Sequence, residues 1–324
     1  MSTPVISVIV PCYNCIKTIE KCVSSLLKSE DVALQIILAD DGSTDGTGDV
    51  CSQFATSFSN VTYLSLPHGG VSAARNAGLR IAIGDYIGFT DADDYVEPNM
   101  FSVLLKGVSP EGTLISVCGY ILEYSDCKTN YCYKESYSVY YRDFLANIFL
   151  DPNTEGFLFN KLFSAELLKG HFFDEALSIC EDLCFISGIN AKENSKVAYC
   201  PGALYHYVQN DQSLTGGRSF FINNTFRYSP AFYKLRDSVK DKSLKSCVGK
   251  KYYKIIRDSM KAVLTVNDKH PSITKNDKIE LRSLKKELQK SNKAGFFSDF
   301  SFKEKLAYTK NAFLPMCFLK KSLK

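Results

Sequence analysis

Val5-Ile6-Ser7-Val8-Ile9-Val10 opens a series of short apolar runs that recur at intervals of about 25–30 residues, and this spacing constrains the fold more than any other feature of the chain. A continuous β-branched run of this length suits a strand covered on both faces. Pro11 is expected to end the first strand, and the runs at 34–39, 61–66, 85–90 and 114–119 repeat the pattern. Between them the spacing turns helical. Residues 15–29 place Ile16, Ile19, Val23, Leu26 and Leu27 on one face, and Thr44 and Asp45 offer N-caps for a helix to about Phe58. Further helices are expected over 72–83 and after Pro98. Alternation of this kind predicts an α/β, doubly wound, mostly parallel sheet flanked by helices. Ligands of such sheets gather along the strands' carboxyl ends. The loops 11–14, 40–45 and 91–94 each follow a strand, so all three are expected on that edge.

The third of these loops carries the strongest chemical signal. Asp91, Asp93 and Asp94 crowd three carboxylates into four positions, where they repel one another. A hard divalent cation removes that penalty, which points to a metal-plus-diphosphate site; an acidic loop capping the next helix is the alternative. The segment Asp41-Gly42-Ser43-Thr44-Asp45-Gly46 imitates a calcium loop, but its twelfth position is Ser52 rather than a bidentate Glu, and a strand precedes it. Pro11-Cys12-Tyr13-Asn14 after the first strand lacks the glycines of a dinucleotide-binding turn, and no Walker A sequence is present.

The chain has 324 residues, 45% hydrophobic and 23% charged, enough for a large α/β domain with a smaller appendage. Its net charge of +4 conceals an asymmetry: residues 241–324 hold 21 of the 39 Lys and Arg but 8 of the 35 Asp and Glu. A basic tail on an acidic body suits an anionic partner surface, either a membrane leaflet or nucleic acid. The acidic body and the absence of a recognised binding motif argue against nucleic acid. The tail is expected to be helical over 240–290, with Leu281, Leu284 and Leu288 on one face. Beyond it Phe296, Phe297, Phe300, Phe302 and the stretch 313–321 interleave aromatics with lysines, as an interfacial membrane anchor would, although packing on the body or a dimer contact would use the same residues. The twelve cysteines form no framework and read as small buried groups in a reducing compartment; the Cys12–Cys15 pair lacks the second pair a zinc site needs. With no secretory signal and no long apolar segment, the expected location is cytoplasmic, peripheral on the inner face of the cell membrane. Residues 120–240 are less regular, with a helical piece expected around 160–169.

Four blocks in order, Val8-Ile9-Val10-Pro11-Cys12-Tyr13-Asn14, Ala39-Asp40-Asp41-Gly42-Ser43-Thr44-Asp45-Gly46-Thr47, Gly70-Val71-Ser72-Ala73-Ala74-Arg75-Asn76-Ala77-Gly78 and Thr90-Asp91-Ala92-Asp93-Asp94, resemble glycosyltransferase family 2, the inverting enzymes of the GT-A fold. Phe173-Asp174-Glu175, Cys180-Glu181-Asp182 and Tyr205-His206-Tyr207 with Ser213 resemble its later segments, so the resemblance covers residues 5–215 and leaves 216–324 as a basic, helical extension. It implies a nucleotide diphosphate-sugar donor, a UDP-sugar, and a glycan or lipid-linked glycan acceptor in bacterial polysaccharide assembly. It also implies roles. Pro11 would line the substrate site, Tyr13 would stack on the base, Asp41 would accept a hydrogen bond from the base's N–H, and Arg75 would approach the base or diphosphate. Asp91 would hold the ribose or support the metal shell, and Asp93 would ligate Mn²⁺ or Mg²⁺, joined by His206 where the late segment contributes a ligand. Asp182 would be the general base and Glu181 its neighbour on the substrate, while Asn160-Lys161 would shape the acceptor cleft. A sugar-phosphate nucleotidylyltransferase would want a Gly-rich loop after the first strand, and a non-catalytic nucleotide-sugar or glycan binder would not need these carboxylates.

Overall fold

The computed structural model describes residues 4–108, 112–192, 194–209, 221–222, 225–265, 275–298 and 300. The chain forms two compact units, 1–216 and 217–324. The first alternates strands and helices: β1 (Val5–Cys12), α1 (Ile19–Leu27), β2 (Ala33–Asp40), α2 (Thr47–Ser57), β3 (Val61–Ser65), α3 (Val71–Ile81), β4 (Tyr86–Phe89), β5 (Tyr95–Val96), α4 (Met100–Gly107) and β6 (Thr113–Glu123). There follow β7 (Lys128–Tyr131), β8 (Tyr137–Tyr140), α5 (Tyr141–Leu150), β9 (Lys161–Ser164), a 3₁₀ turn (Ala165–Leu168), α6 (Glu181–Gly188) and β10 (Lys196–Val208).

The sheet runs β3-β2-β1-β4-β9-β6-β10-β5, with β7 on β6 and β8 on β10. The half β3-β2-β1-β4 is parallel throughout, and β6 pairs parallel with β10. The antiparallel β9 joins the halves between β4 and β6. The apolar runs occupy this sheet because it is covered: Ile6, Val8, Ile9 and Val10 of β1 and Ile36, Ile37 and Leu38 of β2 are wholly buried. Pro11 does not end β1, which continues to Cys12, whose carbonyl accepts from Asp41 N–H at 2.8 Å. Helix α3 lies close on β1, because a Cβ at Gly78 would come within 2.5 Å of Ile9 Cγ2. That contact fixes the height of Arg75, one turn earlier on the same helix.

The helical piece expected around 160–169 is instead β9 and a 3₁₀ turn. Lys161, Leu162 and Phe163 are buried between two strands, and sheet pairing overrides the helical pattern of the leucines that follow.

The second unit comprises a short hairpin, β11 (Phe221–Ile222) and β12 (Thr225–Phe226), and helices α7 (Ser229–Ser238), α8 (Lys242–Thr265) and α9 (Lys275–Lys293). Leu281, Leu284 and Leu288 are buried, as their spacing predicts. Phe296, Phe297 and Phe300 are buried too, packed among Tyr233, Tyr252 and Tyr253, so these aromatics belong to the unit's own core and are not a membrane-inserting face. Phe302 and the stretch 313–321 lie outside the described residues. Among the described residues no helix is long and apolar enough to cross a membrane.

Candidate active site

The loops after β1 and β2 are tied into each other. Asn14 N–H donates to Ser43 Oγ at 2.9 Å, and Asn14 Oδ1 accepts from Thr44 N–H at 2.9 Å. Cys15 N–H donates to Thr47 Oγ1 and Ile16 N–H to Asp45 Oδ2. Asp40 accepts from Ser43 N–H and Tyr63 O–H, and Asp45 from Thr47 N–H and Oγ1–H. The acidic 40–45 segment is therefore largely a hydrogen-bond scaffold, which accounts for its carboxylates without a calcium ion. It holds Pro11 and Tyr13 at the carboxyl end of β1 with the Tyr13 ring half exposed (51%).

Asp41 is buried, and its oxygens accept from Gly69 N–H at 2.7 Å and Gly70 N–H at 2.9 Å, with His68 Nδ1 2.8 Å away. It thus anchors the turn into α3. The same turn lays the His68 ring on Tyr13, with centroids 4.6 Å apart and planes 25° from parallel. His68 has no signal in the sequence beyond its place ahead of Gly69-Gly70-Val71, because its two partners come from distant loops.

Arg75 is the hub of the site. Its guanidinium is buried and donates from Nη1 to Asp182 Oδ1 at 2.7 Å and Glu181 Oε1 at 2.9 Å, and from Nη2 to Asp91 Oδ1 at 3.0 Å. In place of the expected approach to base or diphosphate, Arg75 joins the acidic loop after β4 to the first turn of α6. Its planar fork can hold three carboxylates at once, which a lysine ammonium on a flexible stem does less well. The next residue, Asn76, reinforces the link: its Oδ1 accepts from Phe173 N–H at 2.8 Å, and its Nδ2 donates to Phe173 O and Glu175 Oε1. Buried Arg75 Nε has no hydrogen-bond partner among the described residues. Burial works against the Arg75 charge, but Asp182, Asp91 and Glu181 together hold it protonated above its ordinary range. Burial also lifts Asp182 well above the usual carboxylate range; Arg75 opposes this, while Glu181 and Asp91 add to it.

The acidic cluster divides its labour. Asp94 is buried and accepts from Tyr205 O–H at 2.6 Å and Val208 N–H at 2.8 Å, so it is a structural carboxylate linking β10 to this loop. Asp91 belongs to Arg75. Asp93 is left without a cationic partner among the described residues, and burial followed by repulsion from Asp91 pushes it up to about 6. A carboxylate held in that state suits a hard divalent cation. Asp93, with Asp91 beside it, fits such an ion, and water and diphosphate oxygens would have to complete the shell. Among the described residues no three His, Cys, Asp or Glu side chains are gathered to hold a metal by themselves.

His206 stands apart from this group. Successive side chains of a strand face opposite ways. Tyr205 turns to Asp94, and His206 turns to the other face, with Nε2 2.8 Å from Glu97 and Nδ1 2.7 Å from Glu123. Its ring stacks on Tyr95 at 4.0 Å. Both nitrogens are engaged by carboxylates, so the structure does not bring His206 to Asp93 as a shared metal ligand. Ser213 lies outside the described residues.

With this geometry in hand, comparison with known proteins decides the family. The sequence profile described as glycosyl transferase family 2 matches residues 7–172, about half the chain. The chain belongs to glycosyltransferase family 2. The glycosyltransferase is 32% identical over 219 residues to the uncharacterized glycosyltransferase EpsJ of Bacillus subtilis, covering 65% of this chain and 63% of that one. It is 39% identical over 114 residues to the chondroitin synthase of Pasteurella multocida, covering 35% of this chain and 12% of the synthase. The match thus spans less than two thirds of either relative. Among solved structures, Staphylococcus aureus TarS 1–349 in complex with UDP-GlcNAc aligns with a TM-score of 0.64 at 18% identity, over 88% of this chain and 80% of that one. Its likeness supports the GT-A fold read from the sequence.

Proposed function

We propose that this glycosyltransferase transfers a sugar, with inversion, from a UDP-sugar to a hydroxyl of a growing lipid-linked glycan. The observation that carries the reading is the Arg75 bridge, which gathers Asp91, Glu181 and Asp182 around one cation from segments far apart in sequence. The half-exposed Tyr13 ring, stacked on one side by His68, would offer its other face to a base, with Pro11 two residues before it and Asp41 holding the His68 ring. Asp91 would hold the ribose or support the metal shell. Asp182 would take the acceptor hydroxyl's proton: Arg75 binds its Oδ1, and its raised proton affinity makes it a better base than an exposed carboxylate. Glu181, held by the same guanidinium nitrogen, would contact the acceptor. Asp93 would hold Mn²⁺ or Mg²⁺, which when bound neutralises charge on the departing diphosphate. A UDP-GlcNAc complex of TarS and a complex of the Pyrobaculum calidifontis mannosyltransferase PcManGT with GDP-Man and Mn²⁺ lend support to donor and metal alike.

A panel of UDP- and GDP-sugars, assayed for nucleotide release with Mn²⁺ and with EDTA, tests this. Release from a UDP-sugar that stops with EDTA and returns with added Mn²⁺ is the expected result. Turnover of GDP-mannose alone would reassign the donor, and undiminished turnover in EDTA would remove the metal from the reading.

The extension supplies the proposed contact with a cytoplasmic membrane face. Lys245 and Lys254 of α8 and Arg282, Lys286, Lys290 and Lys293 of α9 are exposed, whereas the aromatics expected to insert are buried. Binding should therefore be electrostatic. The full chain is expected to co-sediment with phosphatidylcholine vesicles that contain phosphatidylserine, not with pure phosphatidylcholine, and to be released by raised salt. Retention in high salt would instead indicate insertion of an apolar segment.

A further inference from the structure

Lys161 is a buried lysine that the chemistry above does not use. Its side chain has no exposure, and no carboxylate pairs with it among the described residues. Its ammonium shares its three N–H groups among four acceptors: Phe157 O at 2.7 Å, Asn160 Oδ1 at 2.8 Å, Thr154 O at 3.0 Å and Glu155 O at 3.1 Å. Burial lowers it to about 7, against the opposing pull of Cys118, Asp182 and Glu155. Burying an ammonium without a counter-ion is costly, so something must require it there. The requirement is visible in the loop. Three backbone carbonyls converge on one point, and among the described residues no backbone N–H outside helices and strands meets them; an ammonium is the side-chain group that presents three donors from a single atom. Asn160 fastens the far end of the loop to β6, donating from Nδ2 to Cys118 O at 2.8 Å and accepting at its own carbonyl from Cys118 N–H. Glu155 adopts φ 32°, a left-handed conformation that a non-glycine residue holds only when its surroundings impose it.

What the loop touches gives the arrangement its purpose. Gly156 lies against Leu183: a Cβ at 156 would overlap Leu183 Cδ1 and come within 3.2 Å of Leu183 Cβ. Leu183 follows Asp182 in the first turn of α6 and is buried. The first turn of α6 is thus held by Arg75 through its carboxylates and by the 154–157 loop through Leu183.

We propose that Lys161 is a positioning residue for Asp182, closing the 154–157 loop into a wall that seats the first turn of α6. This rests on the assignment of Asp182 as the base. Lys161 touches no substrate; it acts through Gly156 and Leu183.

The test uses the full-length enzyme with the UDP-sugar that gives turnover in the donor panel, following UDP release. Lys161→Met and Gly156→Ala, each confirmed as folded by circular dichroism, are expected to lower kcat by about 10- to 100-fold, because displacements near 1 Å at a reacting group cost that much, while donor KM stays within about 2-fold. Methylammonium should restore part of the activity of Lys161→Ala, and tetramethylammonium, which has no N–H, should not. If Lys161→Met fails to fold, Gly156→Ala decides the matter. Wild-type kcat in either folded variant, or an equal loss in donor affinity, overturns the positioning role and leaves the assignment of Asp182 intact. Wild-type turnover by Asp182→Asn removes the base itself, and this inference with it.

Discussion

Replacing Asp182 with Asn is expected to lower kcat by about 10²- to 10⁴-fold, the range that a positioned general base contributes, while UDP affinity changes by no more than about 3-fold. The substitution keeps the shape of the side chain. Arg75 retains Asp91 and Glu181 as partners, so its charge remains compensated and α3 stays linked to α6. The pH profile provides a second readout. Asp182 must be ionised to accept a proton, and burial with Glu181 and Asp91 nearby raises its proton affinity in spite of Arg75. Activity of the wild-type enzyme should therefore rise with pH along a limb that lies above the usual carboxylate range. In Asp182→Asn the residual activity should lose that limb. Full transfer by the variant, or an acid limb that persists unchanged, would place the base elsewhere. Steady-state UDP release across pH, with UDP binding by calorimetry, makes both checks.

How legible this site was depended on whether its contacts are local. Strands β1 to β4 could be read because continuous apolar runs have few other uses, and the three loops at their carboxyl ends followed from the topology. The short β5 and the polar hairpin strand β7 carry little pattern of their own. β9 does not show as a strand in the sequence because Lys161-Leu162-Phe163-Ser164 runs into Ala165-Glu166-Leu167-Leu168, whose leucines suit a helix; only its place between β4 and β6 decides the matter. The carboxylates were legible as a set, but their division was not. Asp94 is structural because Tyr205 reaches it from 111 residues away, and Arg75 becomes a hub because Asp182, 107 residues later, folds back onto it. His206 shows the opposite error. A histidine in a family-like segment suggested a metal ligand, but the alternation of β10 turns it toward Glu97 and Glu123. The buried Phe296, Phe297 and Phe300 make a similar point: aromatics among lysines fit a membrane interface or a helical core, and the tyrosines of α7 and α8 that cover them are far off in sequence.

Asp93→Asn is expected to separate function from stability in opposite directions. In the metal-free protein Asp93 is a half-buried carboxylate beside Asp91, with its proton affinity raised to about 6 from an ordinary value of 3.8. A carboxylate whose folded pKa exceeds its unfolded one costs stability once both states are ionised. The cost is absent below the unfolded value, grows as pH rises from about 4 to about 6, and is complete at neutral pH. Removing the charge should relieve it, and since one pKa unit corresponds to about 1.4 kcal/mol, a gain on the order of 1–3 kcal/mol is expected at pH 7 in EDTA. The gain should shrink toward pH 4, where wild-type Asp93 is protonated in both states. Mn²⁺ should reverse the order: it raises the melting temperature of the wild type by mass action and leaves the variant unmoved. Turnover should fall to the level the wild type shows in EDTA, because an amide is a poor ligand for a hard cation. Thermal melts with and without Mn²⁺ across pH, set beside UDP release, read both effects on the same samples. A variant less stable than the wild type in EDTA at neutral pH would mean that Asp93 is a satisfied structural carboxylate like Asp94, and the cation would have to be sought at other residues.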